Sequence, residues 1–165
     1  SLNEQRAAIG TLVERYGKLD AAFANAGMGL SAAGTEKGDP DEWETLVQLN
    51  VLGLLWTVKA AMPQLKANTG HMLLTGSAAG RTHIKGSVYG ASKWFVHGYG
   101  GNLAQEMREW GGRCTVIAPG MVDTPFFDEA KPDKLKPEDI ARAAVYALEQ
   151  PAHACVQEMF VMPTG

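Results

Sequence analysis

Apolar and polar positions fall in blocks along this chain of 165 residues. Short apolar runs at 19–24, 71–76, 113–118 and 158–162 are separated by longer stretches whose apolar residues recur at helical spacing. Each run is apolar on both alternating faces, as is a strand buried between two layers of helix. Strands alternating with helices imply parallel strands joined by crossover helices. The pattern predicts an α/β architecture, a doubly wound parallel sheet with flanking helices, and residues 1–165 as a single domain.

The helices carry their own start and stop signals. Asp39 precedes Pro40 and is followed three residues on by Glu42, which predicts an N-cap with proline at the first helical position. That helix should run to about Lys66 and end at Asn68-Thr69-Gly70. A second is predicted from about Ser87 to Trp110, stopped by Gly111-Gly112. Gly98, Gly100 and Gly101 inside it each cost roughly a kcal/mol relative to Ala, so close contact with another helix is expected there. A last helix begins at Pro137, with Glu138 and Asp139 at the positive end of its dipole. Residues 3–16 read as a helix before the first strand, and residues 125–136, with Pro125 and Pro132 among several charges, as a mobile loop over a site.

Candidate chemistry collects where the strands should stop, which in a parallel sheet is where ligands gather. Asn25-Ala26-Gly27 follows the first run, Thr75-Gly76-Ser77-Ala78-Ala79-Gly80 the second and Pro119-Gly120-Met121-Val122-Asp123-Thr124 the third. Small residues there let backbone approach a flat ligand, although for Gly80 and Gly86 an ordinary turn is sufficient. Tyr89 and Lys93, four apart, share a helix face. A phenol stays protonated to about pH 10 unless a cation stabilises its phenolate, and Lys93 is placed to supply one.

Taken in order, these signals and Asn50 resemble the short-chain dehydrogenase/reductase family: its NAG motif, catalytic Asn, Ser before a small-residue turn, YxxxK and PGxxxT. The resemblance spans nearly the whole chain and implies a Rossmann-like fold and an NAD(P)-dependent oxidoreductase that interconverts a small-molecule alcohol and carbonyl by hydride transfer. It assigns Tyr89 as general acid/base. Lys93 would lower the Tyr89 pKa and hold the nicotinamide ribose, Ser77 would orient the substrate oxygen, and Asn50 would anchor a water in a proton relay. Asn25, Ala26 and Gly27, with Tyr89 and Lys93, would line the cofactor cleft; Pro119, Gly120, Val122 and Thr124 would close over the nicotinamide side. The cofactor is NAD or NADP without distinction, because the residues that read the adenosine ribose belong to the family's opening strand, TGxxxGxG loop and helix. No such loop occurs here, and the first strand corresponds to the family's fourth, so the chain reads as the C-terminal two-thirds of a longer enzyme. Ala24 stands where many relatives have Asn, and Ser77 precedes Tyr89 by one residue fewer than usual. The family implies a homodimer or homotetramer, and the short ending after Phe160 favours the dimer.

Composition narrows the remaining choices. With 45% apolar residues the chain can bury one core, and a net charge of −3 with no basic run argues against nucleic acid and anionic membrane as partners. No uninterrupted apolar stretch approaches the ~20 residues of a membrane span and no signal peptide opens the chain, which leaves the cytoplasm as the expected location. Cys114 and Cys155 read as buried thiols, and His71, His83, His97 and His153 show no ligand spacing, so no metal is expected. His83 reads as a solvated loop histidine. A serine hydrolase around Ser77 or Ser92 fails for want of a GxSxG elbow. The alternative from another class is a non-catalytic scaffold or inactive fragment that binds a partner or nucleotide without turnover; the set Asn50, Ser77, Tyr89 and Lys93 has no purpose in such a scaffold.

Overall fold

Each of the four apolar runs forms a strand: β1 Ala21–Ala24, β2 His71–Thr75, β3 Arg113–Pro119 and β4 Glu158–Val161. In the computed structural model, which describes residues 1–127 and 129–165, they pair in parallel in the order β1-β2-β3-β4. Ala21 is in register with His71, His71 with Arg113, and Val116 with Glu158. The helices are α1 Leu2–Tyr16, α2 Pro40–Val47, α3 Leu54–Ala67, α4 Val88–Arg108 and α5 Pro137–Leu148.

Alternation along β2 and β3 divides the core between the two sheet faces. Met72, Leu74, Cys114 and Val116 point to one face, where they pack with Leu54, Val58, Ala61 and Leu65 of α3 and Val96, Leu103 and Met107 of α4. Leu73 and Ile117 point to the other and meet Ala143 and Ala144 of α5. Helices therefore cover both faces, as the apolar runs require.

Several local expectations are corrected. The predicted helix from Pro40 is interrupted by a π-helical segment, Gln48–Gly53, that joins α2 to α3. Asp39 does cap α2, accepting from the Asp41 amide, but Glu42 does not return to the cap; its carboxylate accepts from both the amide and the hydroxyl of Ser31. The run Pro40–Ala67 is, by length and composition, apolar enough to cross a bilayer, contrary to the sequence reading. Its buried side chains Leu46, Leu54, Val58 and Leu65 are used in the protein's own core.

Within the chain, the glycines of α4 do not bring another helix close. A Cβ on Gly100 would lie 2.3 Å from Val116 Cγ2, so Gly100 lets the helix settle on the sheet, whereas Gly98 and Gly101 face open space. Cys114 is buried but Cys155 is exposed, because only the former lies inside a strand. The segment 125–136 contains residue 128, which lies outside the described residues; before it Val122 bridges to Leu135.

Candidate active site

The carboxyl ends of β1, β2 and β3 bring the predicted residues to one side of the sheet. Asn25 follows β1, and its Oδ1 accepts a hydrogen bond of 2.8 Å from the Thr75 hydroxyl at the end of β2. Gly27 lies against the site's polar groups, since a Cβ there would be 3.3 Å from Asn50 Oδ1 and 3.6 Å from Lys93 Nζ. Ala26 joins the two and is exposed.

Asn50, on the π-helical segment, is buried and clamps the main chain of the turn after β1. Its Oδ1 accepts from the Met28 amide at 2.9 Å, and its Nδ2 donates to the Met28 carbonyl at 3.0 Å and to Ser92 Oγ at 3.2 Å. The Asn50 side-chain amide is thus occupied by protein partners and fixes the turn after β1 against α4.

Ser77 leaves β2 and caps a single 3₁₀ turn, Ala78–Gly80, with its hydroxyl accepting from the Ala79 amide at 3.1 Å. Gly80 is more than an ordinary turn residue: a Cβ there would fall 2.7 Å from the Lys93 carbonyl oxygen and 2.5 Å from His97 Cδ2. The turn thus lies directly on α4. Gly86, by contrast, has a φ of 64° and abuts the Gly34 backbone, a position only glycine fills without strain.

Ser87 caps α4, accepting from the Gly90 amide, and starts Tyr89 and Lys93 along one face of the helix. Lys93 is 5% exposed, and its Nζ donates to the Thr75 carbonyl at 2.9 Å, lying 5.8 Å from the centroid of the Tyr89 ring. Burial pulls the Lys93 ammonium down to about 8. Burial pushes the Tyr89 phenol up, and the nearby Ser77 side chain opposes that rise. Desolvation is the largest cause acting on the phenol.

Pro119 ends β3 and Gly120 donates its amide to the Val161 carbonyl at 2.8 Å, with Pro163 and Met162 packed against it. Val122 and Thr124 continue outward, and Thr124 Oγ1 accepts from the Phe126 amide at 3.4 Å. Phe126 then reaches back to the site: its ring centroid lies 5.8 Å from that of Tyr89, and its edge rests on Gly29, where a Cβ would be 3.1 Å away. A cleft of about 490 Å³ opens beside Tyr89, walled by Leu30, Trp43, Val88, Phe126 and Phe127. His83 stands outside it, its ring 5.3 Å from that of Trp94.

Sequence reasoning missed Phe126, Met28 and His97. Two adjacent aromatics in the otherwise polar stretch after Thr124 were a readable signal for the first. His97 lies one further helical turn beyond Lys93, on the same face as Tyr89, and that spacing was readable too.

Known proteins share both the sequence pattern and the fold. Residues 1–135 match the family of short chain dehydrogenases. An uncharacterized oxidoreductase of Staphylococcus saprophyticus is 41% identical over 155 residues, covering 91% of this chain and 66% of that protein. One of Staphylococcus aureus is 39% identical, covering 91% of this chain and 67% of its own length. The chain thus spans about two thirds of the length of these curated relatives. Among solved structures, the alcohol dehydrogenase of Thermococcus sibiricus complexed with 5-hydroxy-NADP superposes with a TM-score of 0.88 at 27% identity, over 99% of this chain and 71% of that one. Serine dehydrogenase of Escherichia coli gives 0.83 at 30% identity, over 96% and 72%. The parallel sheet, the order of its strand-end motifs and these similarities together make this chain a member of the short-chain dehydrogenase family of oxidoreductases.

Proposed function

We propose that this chain carries the proton-transfer centre and substrate cleft of an NAD(P)-dependent enzyme that interconverts an alcohol and a carbonyl. The observation that carries the reading is the Tyr89 phenol, with the Ser77 side chain near it and the buried Lys93 ammonium 5.8 Å from its ring centroid. A nicotinamide dinucleotide fits the residues present: Gly27 leaves open the space that a Cβ would fill beside Lys93 Nζ, next to the exposed residues Asn25 and Ala26 at a strand end. The similar Thermococcus sibiricus enzyme, complexed with 5-hydroxy-NADP, supports the same choice of cofactor class. When bound, that cofactor supplies or accepts the hydride.

The protein's own part is to move the proton. Tyr89 donates its phenolic proton to the carbonyl oxygen under reduction, and takes one from the alcohol in the reverse direction. Ser77 donates a hydrogen bond to the same substrate oxygen and fixes its distance from Tyr89. Lys93 stabilises the phenolate left behind. Its ammonium is buried against a main-chain carbonyl, with no carboxylate paired to it among the described residues. A buried charge without an opposite charge lowers stability, and an inert scaffold has no use for that cost.

The cleft further supports a neutral substrate with both apolar and polar parts, because Leu30, Trp43, Val88, Phe126 and Phe127 share its wall with Ser31, Ser87 and Tyr89. In the full-length protein Tyr89→Phe is expected to reduce kcat by about 100- to 10,000-fold, the span of general acid catalysis, while leaving the dissociation constant for NADPH or NADH unchanged. Normal turnover by that variant would sink the mechanism. The rate of carbonyl reduction should also fall as pH rises through about 8, where Lys93 loses its charge, and a flat kcat/KM profile there would remove Lys93 from it.

A further inference from the structure

Tyr89, Lys93 and His97 fall on successive turns of one face of α4, yet only the first two have a part in the chemistry above. The His97 side chain is wholly buried, and each of its ring nitrogens meets a polar partner. Nδ1 donates to Glu158 Oε1 at the start of β4. Nε2 lies 2.9 Å from the Ser77 carbonyl oxygen and 3.3 Å from the Ser77 amide nitrogen. Neutral His97 accepts from that amide, and protonated His97 donates to that carbonyl, so either form grips the Ser77 main chain.

Glu158 is gripped in turn. Arg81 donates to both its oxygens, Nε to Oε1 at 3.1 Å and Nη2 to Oε2 at 2.8 Å. Arg81 follows the 3₁₀ turn that Ser77 caps, so the contacts close a ring: Ser77, His97, Glu158, Arg81 and back along the chain to Ser77. The main chain is shaped to admit it. A Cβ on Gly76 would stand 2.7 Å from His97 Nε2, and the Phe160 ring stacks on the imidazole at 6.0 Å. Holding an imidazole, a carboxylate and a guanidinium in one network is costly unless every member is satisfied, and here each has its partner.

We infer that His97, oriented by Glu158 and Arg81, is the positioning residue that fixes Ser77 opposite Tyr89. This rests on the reading above that Ser77 and Tyr89 work as a pair. Without the ring, the Ser77 main chain would lose its hydrogen bond to His97 of α4, and the Ser77 hydroxyl would no longer stand at a fixed distance from the phenol. Displacements of such a size, up to an ångström, are enough to change rates by one to two orders of magnitude.

The test reads Tyr89 itself and requires no substrate. In full-length protein labelled with 13Cζ-tyrosine, the Tyr89 signal, assigned by its loss in Tyr89→Phe, is followed by NMR as pH rises; Lys93 contributes equally in every variant. Ser77→Ala removes the hydroxyl that holds the phenol down and should raise the Tyr89 midpoint by about 0.5–1 pH unit. His97→Asn, which keeps the reach to Glu158 and loses Ser77, should raise it by the same amount, and the double variant by no more. His97→Gln, which still reaches Ser77, should restore most of the shift. Glu158→Gln, at a partly exposed site, should move it in the same direction and decides the matter if the His97 variants do not fold. A folded His97→Asn or Glu158→Gln protein with the wild-type midpoint, where Ser77→Ala moves it, overturns the positioning role alone. An unchanged midpoint in Ser77→Ala overturns the pairing of Ser77 with Tyr89, and the positioning role with it.

Discussion

The two faces of the sheet are held by different forces. Toward α3 and α4 the contacts are between large apolar side chains, and Leu65, Met72, Leu74 and Met107 have essentially no exposure. Toward α5 the apolar layer is thinner, Leu73 and Ile117 against Ala143, Ala144 and the partly buried Ile140, Met159 and Val161, and buried hydrogen bonds add to it. His71 Nε2 donates to Thr115 Oγ1 at 2.7 Å, and the Thr115 hydroxyl donates to the Val156 carbonyl at 2.6 Å. Arg113 ties the chain around α5, donating to the Gln150 carbonyl at 2.8 Å. Apolar packing is sensitive to volume, whereas a buried imidazole is sensitive to protons. The first face should therefore fail by cavity and the second by acid.

The largest effect should come from the apolar face. Leu65→Ala is expected to cost about 3 kcal/mol, measured by denaturant unfolding, and a loss below 1 kcal/mol would show that the face repacks freely. The α5 face is addressed by pH. Burial first, and Arg113 second, hold the His71 imidazole down at about 4 against an ordinary 6.5. The unfolded chain therefore takes up the proton first, so this contribution is complete above about pH 6.5 and disappears as pH falls toward 4. Between pH 8 and 4.5 the loss should be about 2 kcal/mol. His71→Gln should lose markedly less stability over that range, and an equal loss would mean that other groups govern the acid limb.

Smaller effects separate the two sides of α4. Gly100→Ala, which drives a methyl into Val116, should destabilise by about 1–2 kcal/mol, whereas Gly101→Ala, facing open space, should stabilise by up to about 1 kcal/mol. Thermal unfolding of the pair decides it, and equal effects would place the two glycines in like surroundings. Smallest of all, Phe23→Ser on the thin face should change stability by less than about 0.5 kcal/mol, because the ring is already 40% exposed; a loss above 1 kcal/mol would reveal packing there.

How much of this was written in the sequence depends on the range of the interaction. All four strands stand within two residues of their predicted limits, because a doubly covered strand needs an unbroken apolar run and little else produces one. Helix starts at Pro40 and Pro137 were equally readable from local signals. Tyr89 and Lys93 could be paired because one helix carries both. Glu42 could not be placed, since its choice of Ser31 over the cap depends on where a distant loop lies. Gly80 was misjudged for the same reason: its neighbour is a carbonyl of α4, thirteen residues on at Lys93. The partners of Asn50 and His97 come from turns and strands whose approach only the assembled sheet defines.

The π-helical segment between α2 and α3 acts as a phase corrector. Leu46, Asn50, Leu54 and Val58 are all buried, at intervals of four. A regular α-helix turns about 100° per residue, so four residues overshoot a full turn by about 40°, and three such steps would swing the stripe by about 120°. The wider turn over Gln48–Gly53 absorbs much of that drift, so that α2 and α3 face one interior with Asn50 between them. Chain length is therefore constrained here more tightly than residue identity. Excising one residue, Leu49 for example, would restore an uninterrupted α-helix and at the same time turn Leu46 outward and carry Asn50 away from Met28. In this stretch a single-residue deletion should be more damaging than most substitutions.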